Sequence, residues 1–318
     1  MQGEKTFRHI LVALDGSRLA ESALTTAVWF AGKMDAQVTL LHIIEKNAPS
    51  EVHSDRHLVT PQEATAYLEQ LCRLPALSGI RVETHVHTAE VGDVARSIAE
   101  HSAELAPDLV VMCTHGKGGT RRLLFGDIAQ QVISLGRTPV LMVRPSKETQ
   151  VIGAVRDFRT ILVPINGDPG HEKGLPMATE IALSFHCRLH LLMVVPELRD
   201  LTGSKAAASF ILPSATRLNL EMESEGARLY LDQRAAELTR EGVLADYESA
   251  RGDPARAIVA SARRLSADLV VMGTHGRAGV DAFWAGSVAA SVVARIQAPV
   301  MLVPLDNKSV EQGRSVAG

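Results

Sequence analysis

Short apolar runs alternate with helix-spaced apolar positions along this chain, and the whole alternation occurs twice. Ile10 to Leu14 and Val38 to Ile44 are continuous apolar runs, the pattern of strands buried on both faces of a parallel sheet. Between them Ala20, Leu24, Ala27 and Ala31 recur at helical spacing after a turn at Asp15, Gly16 and Ser17, which makes a βαβ unit. The stretch from Glu45 to Val59 is polar and irregular. Thr60, Pro61 and Glu63 then read as N-cap, first-turn proline and capping-box partner of a helix running to about Leu74, and a third strand is expected around Arg81 to His87. Gly92 and Asp93 precede a helix with Val94, Ile98 and Leu105 on its inner face. A strand from Asp108 to Met112, a glycine-rich stretch, a helix marked by Ile128, Val132 and Leu135, and a last strand from Val140 to Val143 complete the series. Strands and helices alternating at this spacing predict right-handed crossovers and an α/β fold with an open, mostly parallel sheet covered on both faces.

The series restarts at Ile161 to Ile165. Leu162 lies 151 positions beyond Leu11, whereas His275 lies 160 beyond His115 and Pro299 lies 160 beyond Pro139. The chain is a tandem duplication whose second copy is nine residues longer. The extra length falls between the second and third strands, where the chain runs from Pro196 past Lys205 and three alanines into a helix from about Ser214 to Arg240. Such an excursion suits a cover over a site, a partner surface or plain surface loop. Pro145 to Asp157 is a polar connector, so the expected organisation is a first domain over 1–146, a linker over 147–157, a second domain over 158–306 and a tail over 307–318.

One stretch carries candidate chemistry. Met272 to Val288 reads MGTHGRAGVDAFWAGSV, with strand residues before it from Asp268 to Val271 and helix-spaced Val288, Val292 and Ile296 after it. Gly273, Gly276, Gly279 and Gly286 sit on this strand-to-helix crossing, where glycine lets the backbone turn sharply and approach a ligand, and Ser287 suits the cap of the next helix. Unpaired N–H groups and the partial positive charge of a helix N-terminus make such a crossing a phosphate cradle. Ordinary turn glycines with no ligand are the blander alternative, and four of them beside a serine fit it less well. The first copy reads MCTHGKGGTRRLLFGDI from Met112 to Ile128.

Composition narrows the classes. A length of 318 residues suits two domains that each bury a core, and 46% hydrophobic with 22% charged residues is globular. A net charge of -3 offers no basic face, so a nucleic-acid partner is not expected. No apolar run approaches a membrane span, and Lys5 leads through a short strand straight into Asp15 and Gly16 without a leader pattern, so no membrane association and a cytoplasmic location are expected. Three scattered cysteines, Cys72, Cys113 and Cys187, argue against a disulfide framework or a paired-cysteine zinc site.

Gly273, two residues, Gly276, nine residues, then Gly286 and Ser287, preceded by Asp-Leu-Val-Val-Met and followed by an Ala-Pro-Val strand, resembles the nucleotide-binding signature of the universal stress protein family. The likeness spans nearly the whole chain, twice. It implies two doubly wound, Rossmann-like open sheets of strand order 3-2-1-4-5, with a crevice between the first and fourth strands. It further implies that adenine contacts backbone at Val194, that ribose lies near Gly273, and that phosphates lie near Gly276, Gly286, Ser287 and Val288, with Asn166 and Met272 completing the site of domain two. Asp15, Ile43, Met112, Gly116 and Gly126 make the equivalent, weaker site of domain one. The implied ligand is ATP, ADP or AMP, with or without magnesium or manganese, and the implied role is stress-response regulation through an unknown protein partner. The resemblance also implies that the apolar last strands of the two copies pair, so that the chain mimics a dimer of single domains, an intramolecular pseudo-dimer, and protects those two edges. Whether two chains also form a homodimer is left open.

The copies differ in their charges. Cys113 stands where the signature has its first glycine, and Asp127 where it has serine. Two unit charges about 4 Å apart repel by roughly 4 kcal/mol at an effective dielectric near 20, more than the ~1.5 to 3 kcal/mol of a hydrogen bond to a charged group. Arg121, Arg122 or a divalent cation would offset part of that. Domain one is therefore expected to bind nucleotide weakly or not at all. Domain two has Asn166 where domain one has Asp15, which puts metal dependence there in doubt unless Asp168 substitutes. The pairs His85 with His87, His53 with His57 and His186 with His190 each lack a third metal ligand at readable spacing. His115 and His275 suit loop-bracing hydrogen bonds, and Phe283 and Trp284 suit packing or a cover over the ligand. No nucleophile and base pair stands out, so slow ATP hydrolysis or self-phosphorylation is the most that enzyme chemistry offers here. The other alternative is an interaction protein that binds no nucleotide.

Overall fold

The computed structural model describes residues 7–114, 127–146, 152, 157–169, 172–201, 206–207, 210–275 and 288–305. The chain forms two compact units that divide between Asp157 and Phe158, with the last strand grouped with the first unit.

Unit one runs β1 (His9–Ala13), α1 (Arg18–Met34), β2 (Gln37–Glu45), a small hairpin of β3 (Glu51–Val52) and β4 (Asp55–Arg56), α2 (Pro61–Cys72), β5 (Val82–Val91), α3 (Val94–Leu105), β6 (Leu109–Cys113), α4 (Asp127–Leu135) and β7 (Val140–Val143). The sheet order β5-β2-β1-β6-β7 is third, second, first, fourth, fifth, and every pairing in it is parallel. Apolar runs become its central strands because both faces are covered: Ile10, Leu11 and Val12 are all fully buried.

Unit two repeats the plan with β8 (Thr160–Ile165), α5 (Gly174–Phe185), β9 (Arg188–Val195), α6 (Pro213–Arg240), β10 (Leu244–Arg251), α7 (Pro254–Arg264), β11 (Leu269–His275) and α8 (Val288–Arg295). Its parallel order β10-β9-β8-β11 is third, second, first, fourth. The closing strand β12 (Val300–Leu305) pairs antiparallel with β7, Met301 opposite Leu141, so the two apolar last strands do pair.

Duplication is visible in single hydrogen bonds. Asp108 in unit one accepts from the N–H groups of Arg8 and His9, and Asp268 in unit two accepts from those of Arg159 and Thr160, tying the start of each first strand to its neighbour. Asp93 and Asp253 cap α3 and α7 through the N–H of the third residue on. The added length of the second copy lies between β9 and β10, as its position in the chain requires. There a 28-residue helix, α6, replaces the hairpin and the 12-residue α2.

Several local expectations shift. The polar stretch 45–59 holds the β3–β4 hairpin. The capping box at Thr60 is skewed: Glu63 N–H donates to Thr60 Oγ1, but the Glu63 carboxylate takes the N–H of Val59 and pairs with Arg56. On α3 the inner face is Ala95, Ile98, His101 and Ser102, while Val94 and Leu105 are half-buried. On α4 the core side is Ala129, Val132 and Ile133, with Ile128 and Leu135 exposed. Periodicity located these helices but left their rotation to the packing.

His101 on α3 lies against two histidines of β5, its ring 4.7 Å from that of His85 and 5.0 Å from that of His87. His101 Nε2 and His87 Nδ1 are 2.9 Å apart, a contact that one proton between them satisfies and two do not. Burial first, and the two neighbouring imidazoles second, hold His85 below its ordinary value of 6.5, with Glu104 opposing. Burial likewise lowers His42, which is tied through Nδ1 to the carbonyl of Leu14. A histidine lowered in the folded state leaves the unfolded chain binding more protons, so stability is present above pH 6.5 and is lost as pH falls below it. The melting midpoint should drop between about pH 7 and pH 5, and His85→Asn should flatten that drop. An unchanged slope in the variant would remove His85 from the account.

Candidate functional site

In unit two the strand order reverses between β8 and β11, and in open α/β sheets it is at the carboxyl ends of the strands at such a reversal that ligands bind. Pairing of Leu269 with Ile161 and of Val270 with Leu162 carries forward to place Gly273 level with Ile165. On the other side Ile165 is paired with Met193, so Asn166 stands beside Val194. Asn166, Val194, Met272 and Gly273 are thereby gathered at the ends of three adjacent parallel strands. Met272 is buried, whereas Val194 and Gly273 are partly exposed. Val288 opens α8 with its side chain exposed. Gly276, Gly286 and Ser287 lie outside the described residues, as do Gly116 and Gly126.

The turn after β8 is built by local chemistry. Asn166 Oδ1 accepts from the N–H of Asp168 at 3.1 Å, an Asx turn. Gly167 has φ +78°, a left-handed backbone that favours glycine, with Met193 Cε 3.3 Å from where a Cβ would stand. Gly174 opens α5 pressed against β11: a Cβ on it would stand 3.5 Å from Gly273 N and from Met272 C. The helix start is thus seated on the strand end that leads into the glycine loop. Among the described residues no side chain caps α5. Just before it, buried Glu172 accepts from Tyr230 Oη at 2.8 Å and from Arg234 Nη2 at 3.3 Å, fastening this turn to α6.

Unit one treats the same place differently. Asp15 Oδ1 accepts from both the N–H and the hydroxyl of Ser17, at 2.9 and 2.7 Å, and Ser17 Oγ caps α1 by accepting from Ala20 N–H. Asp55 of the hairpin accepts from Arg18 N–H at 2.9 Å, and His53 Nε2 faces Asp15 Oδ2 at 3.7 Å. Leu58 covers Gly16 so closely that a Cβ would meet it at 2.8 Å. The start of α1 therefore already carries the side-chain oxygens of Ser17 and Asp55. Ile43 and Met112, expected in the weaker site, are both buried. Burial, with Asp15 adding to it, pushes the Cys113 thiol up, which keeps it protonated and unreactive.

The histidine pairs resolve separately. His85 and His87 share a face and gain His101. His53 and His57 belong to the hairpin segment, not a helical turn, with buried His57 facing Glu45. His186 ends α5 with φ 55°, while His190 is buried on β9 between Asp246 and Glu248. Among the described residues no three histidine, cysteine or carboxylate groups converge as metal ligands. Sequence reading missed Gly174, Glu172 and the covering segment 53–58, whose roles depend on contacts between distant positions. The one available signal was the change from Ala23 to Gly174 at the 151-residue offset.

Comparison with known proteins adds the following. The universal stress protein family model matches residues 6–144 and again residues 157–304. A universal stress protein of Mycolicibacterium smegmatis is 26% identical over 305 residues, 92% of this chain and 96% of its own length. The universal stress protein MJ0531 of Methanocaldococcus jannaschii is 29% identical over 154 residues, 46% of this chain and 88% of its own. Among solved structures, a functionally unknown protein of Pseudomonas aeruginosa, PA1789, aligns with TM-score 0.67 at 18% identity, covering 98% of each chain. At that identity the likeness concerns the fold alone.

Proposed function

The chain belongs to the universal stress protein family, and on that premise we propose that it is an adenine-nucleotide-binding regulatory protein holding one nucleotide, in its second unit. The signature Gly273, Gly276, Gly286 and Ser287 is complete only in the second copy, and this observation carries the reading. The described flanks support it. Asn166, Val194, Met272 and Gly273 stand at three adjacent strand ends, and the start of α5 seats directly on Gly273. The backbone N–H groups of the glycine signature ahead of α8 would suit phosphate, and the half-buried end of β9 at Val194 suits the flat apolar face of adenine.

Unit one is read as a degenerate copy. Cys113 and Asp127 interrupt its signature, and Ser17 and Asp55 already satisfy the first N–H groups of α1. A phosphate would have to displace Asp55 and face its charge. In this reading the ligand is ATP, ADP or AMP, and its occupancy alters contacts with a protein partner. A cytoplasmic location accords with the reading; among the described residues no helix is long and apolar enough to cross a membrane.

The direct test is to denature the purified protein, recover the supernatant and quantify adenine nucleotides per chain by chromatography and mass spectrometry, then titrate the emptied protein with ATP and magnesium or manganese. One nucleotide per chain is expected. Two would overturn the degenerate reading of unit one. None released and none bound would overturn nucleotide binding and leave an interaction protein.

A further inference from the structure

The 28 residues of α6 span about 42 Å at 1.5 Å per residue. One face is fixed in unit two through Leu220, Ala227, Leu231, Ala235 and Leu238. The opposite face is apolar and uncovered: Ile211, just ahead of the helix, is 77% exposed, Leu218 59%, Met222 66% and Leu229 57%. Within the helix, the steps of four and seven residues from Leu218 to Met222 to Leu229 follow the seam spacing of a two-helix coiled coil, away from the buried side, while Ile211 precedes the non-helical N-cap Leu212 and extends the apolar surface beyond the helix. The counterpart helix in the first copy, α2, has no exposed large apolar residue. Side chains of this kind, left in water along several turns, mark an association surface.

We propose that α6 pairs antiparallel with α6 of a second copy of this chain. The charges on the helix select that occupant and its register. With Leu218 opposite Leu229 of the partner copy, the neighbouring layer sets Met222 against Glu225, and Glu221 on the flank of the seam faces Arg228, twice by symmetry. Glu221 has no partner within its own chain among the described residues. Arg228 Nε and Nη2 hold Glu225, at 3.0 and 2.7 Å, which neutralises that acidic seam position and keeps the guanidinium charge on the flank that Glu221 of the second copy faces; Asp232, the next acidic position along the seam, accepts from the Tyr247 hydroxyl. The alternatives carry repulsion. Sliding one helix by seven residues brings Glu221 against Glu221, and a parallel pair brings Glu225 against Glu225. This association surface lies on the face of α6 away from Tyr230 and Glu172, and it does not depend on nucleotide binding.

Sedimentation velocity and light scattering on the full chain should give twice the 34.2 kDa of one chain at about 100 µM. Met222→Glu should yield monomer, and at dilutions where the wild type is also monomeric its melting curve should match the wild type's, since the side chain it replaces is 66% exposed in the single chain. Glu221→Arg should weaken the dimer about tenfold, and less in high salt. Orientation is read by oxidising a mixture of Leu218→Cys and Leu229→Cys, both in a Cys72→Ser background. A disulfide between the two variants is expected. A monomeric wild-type chain, a dimer indifferent to Met222→Glu, or a Leu218→Cys chain that cross-links to itself would each overturn the proposal.

Discussion

Gly276→Val is expected to weaken ATP binding by at least about a hundredfold, while Gly116→Val at the equivalent place in the first copy leaves it unchanged. A phosphate cradle is made of main-chain N–H groups that must reach the ligand's oxygens, and glycine permits that approach because no Cβ stands in the way. Two charge-assisted hydrogen bonds lost at ~1.5 to 3 kcal/mol each amount to a hundredfold or more. Ser287→Ala, which removes one hydroxyl, should cost about tenfold. All three substituted positions lie outside the described residues, so the expectation stands on the signature and on its described ends, Gly273 seated beneath α5 and Val288 opening α8. Calorimetric titration of each variant with ATP is the measurement. Wild-type affinity in Gly276→Val would remove the second unit as the site, and a loss in Gly116→Val would show that the first copy binds after all.

Glu172→Ala is expected to be the most destabilising single polar change in unit two, by about 3 kcal/mol. The carboxylate is 5% exposed and joins three places: the turn between β8 and α5, Tyr230 and Arg234. Removing it leaves a phenol and a guanidinium pointed at an apolar void. Arg234 is a third exposed and keeps its second carboxylate, Glu237, which holds the cost below that of a fully buried pair. The melting midpoint should fall by roughly 6 to 12 °C. Burial and the hydrogen bond to Glu172 push the Tyr230 phenol up to about 12, so loss of Glu172 should also bring its titration back toward 10, readable by ultraviolet absorbance. Because Glu172 stands two residues before the helix that seats on Gly273, nucleotide affinity should drop in the same variant. A stable Glu172→Ala with normal phenol titration would mean that α6 is held by its apolar face alone.

Several features were readable before any coordinates. Continuous apolar runs became central parallel strands, and the 151- and 160-residue offsets placed both copies and the enlarged segment between β9 and β10. Thr60 could be named as a cap because a cap is settled within one helical turn. The gathering of Asn166, Val194 and Gly273 followed from strand order, which the family resemblance supplied. Helix rotation was less legible. Ile128 and Leu135 have the same apolar character as Val132, and only the sheet beneath them decides which of the three is covered.

The difference between the two copies divides along the same line. Cys113, Asp127 and Asn166 are differences of residue type, so they could be weighed as charges and hydrogen bonds from the letters alone. That Asp55 reaches Arg18 across 37 positions, that Leu58 lies on Gly16, and that Glu172 reaches Tyr230 across 58 could not. Local patterns encode strands, helices and caps because the partners involved are neighbours along the backbone. Contacts between segments far apart in the chain depend on how helices rotate and loops fold back once the sheet is assembled. It was the folded chain, through those contacts, that covered the start of α1 with Asp55 and Leu58 and fastened the turn before α5 to Tyr230.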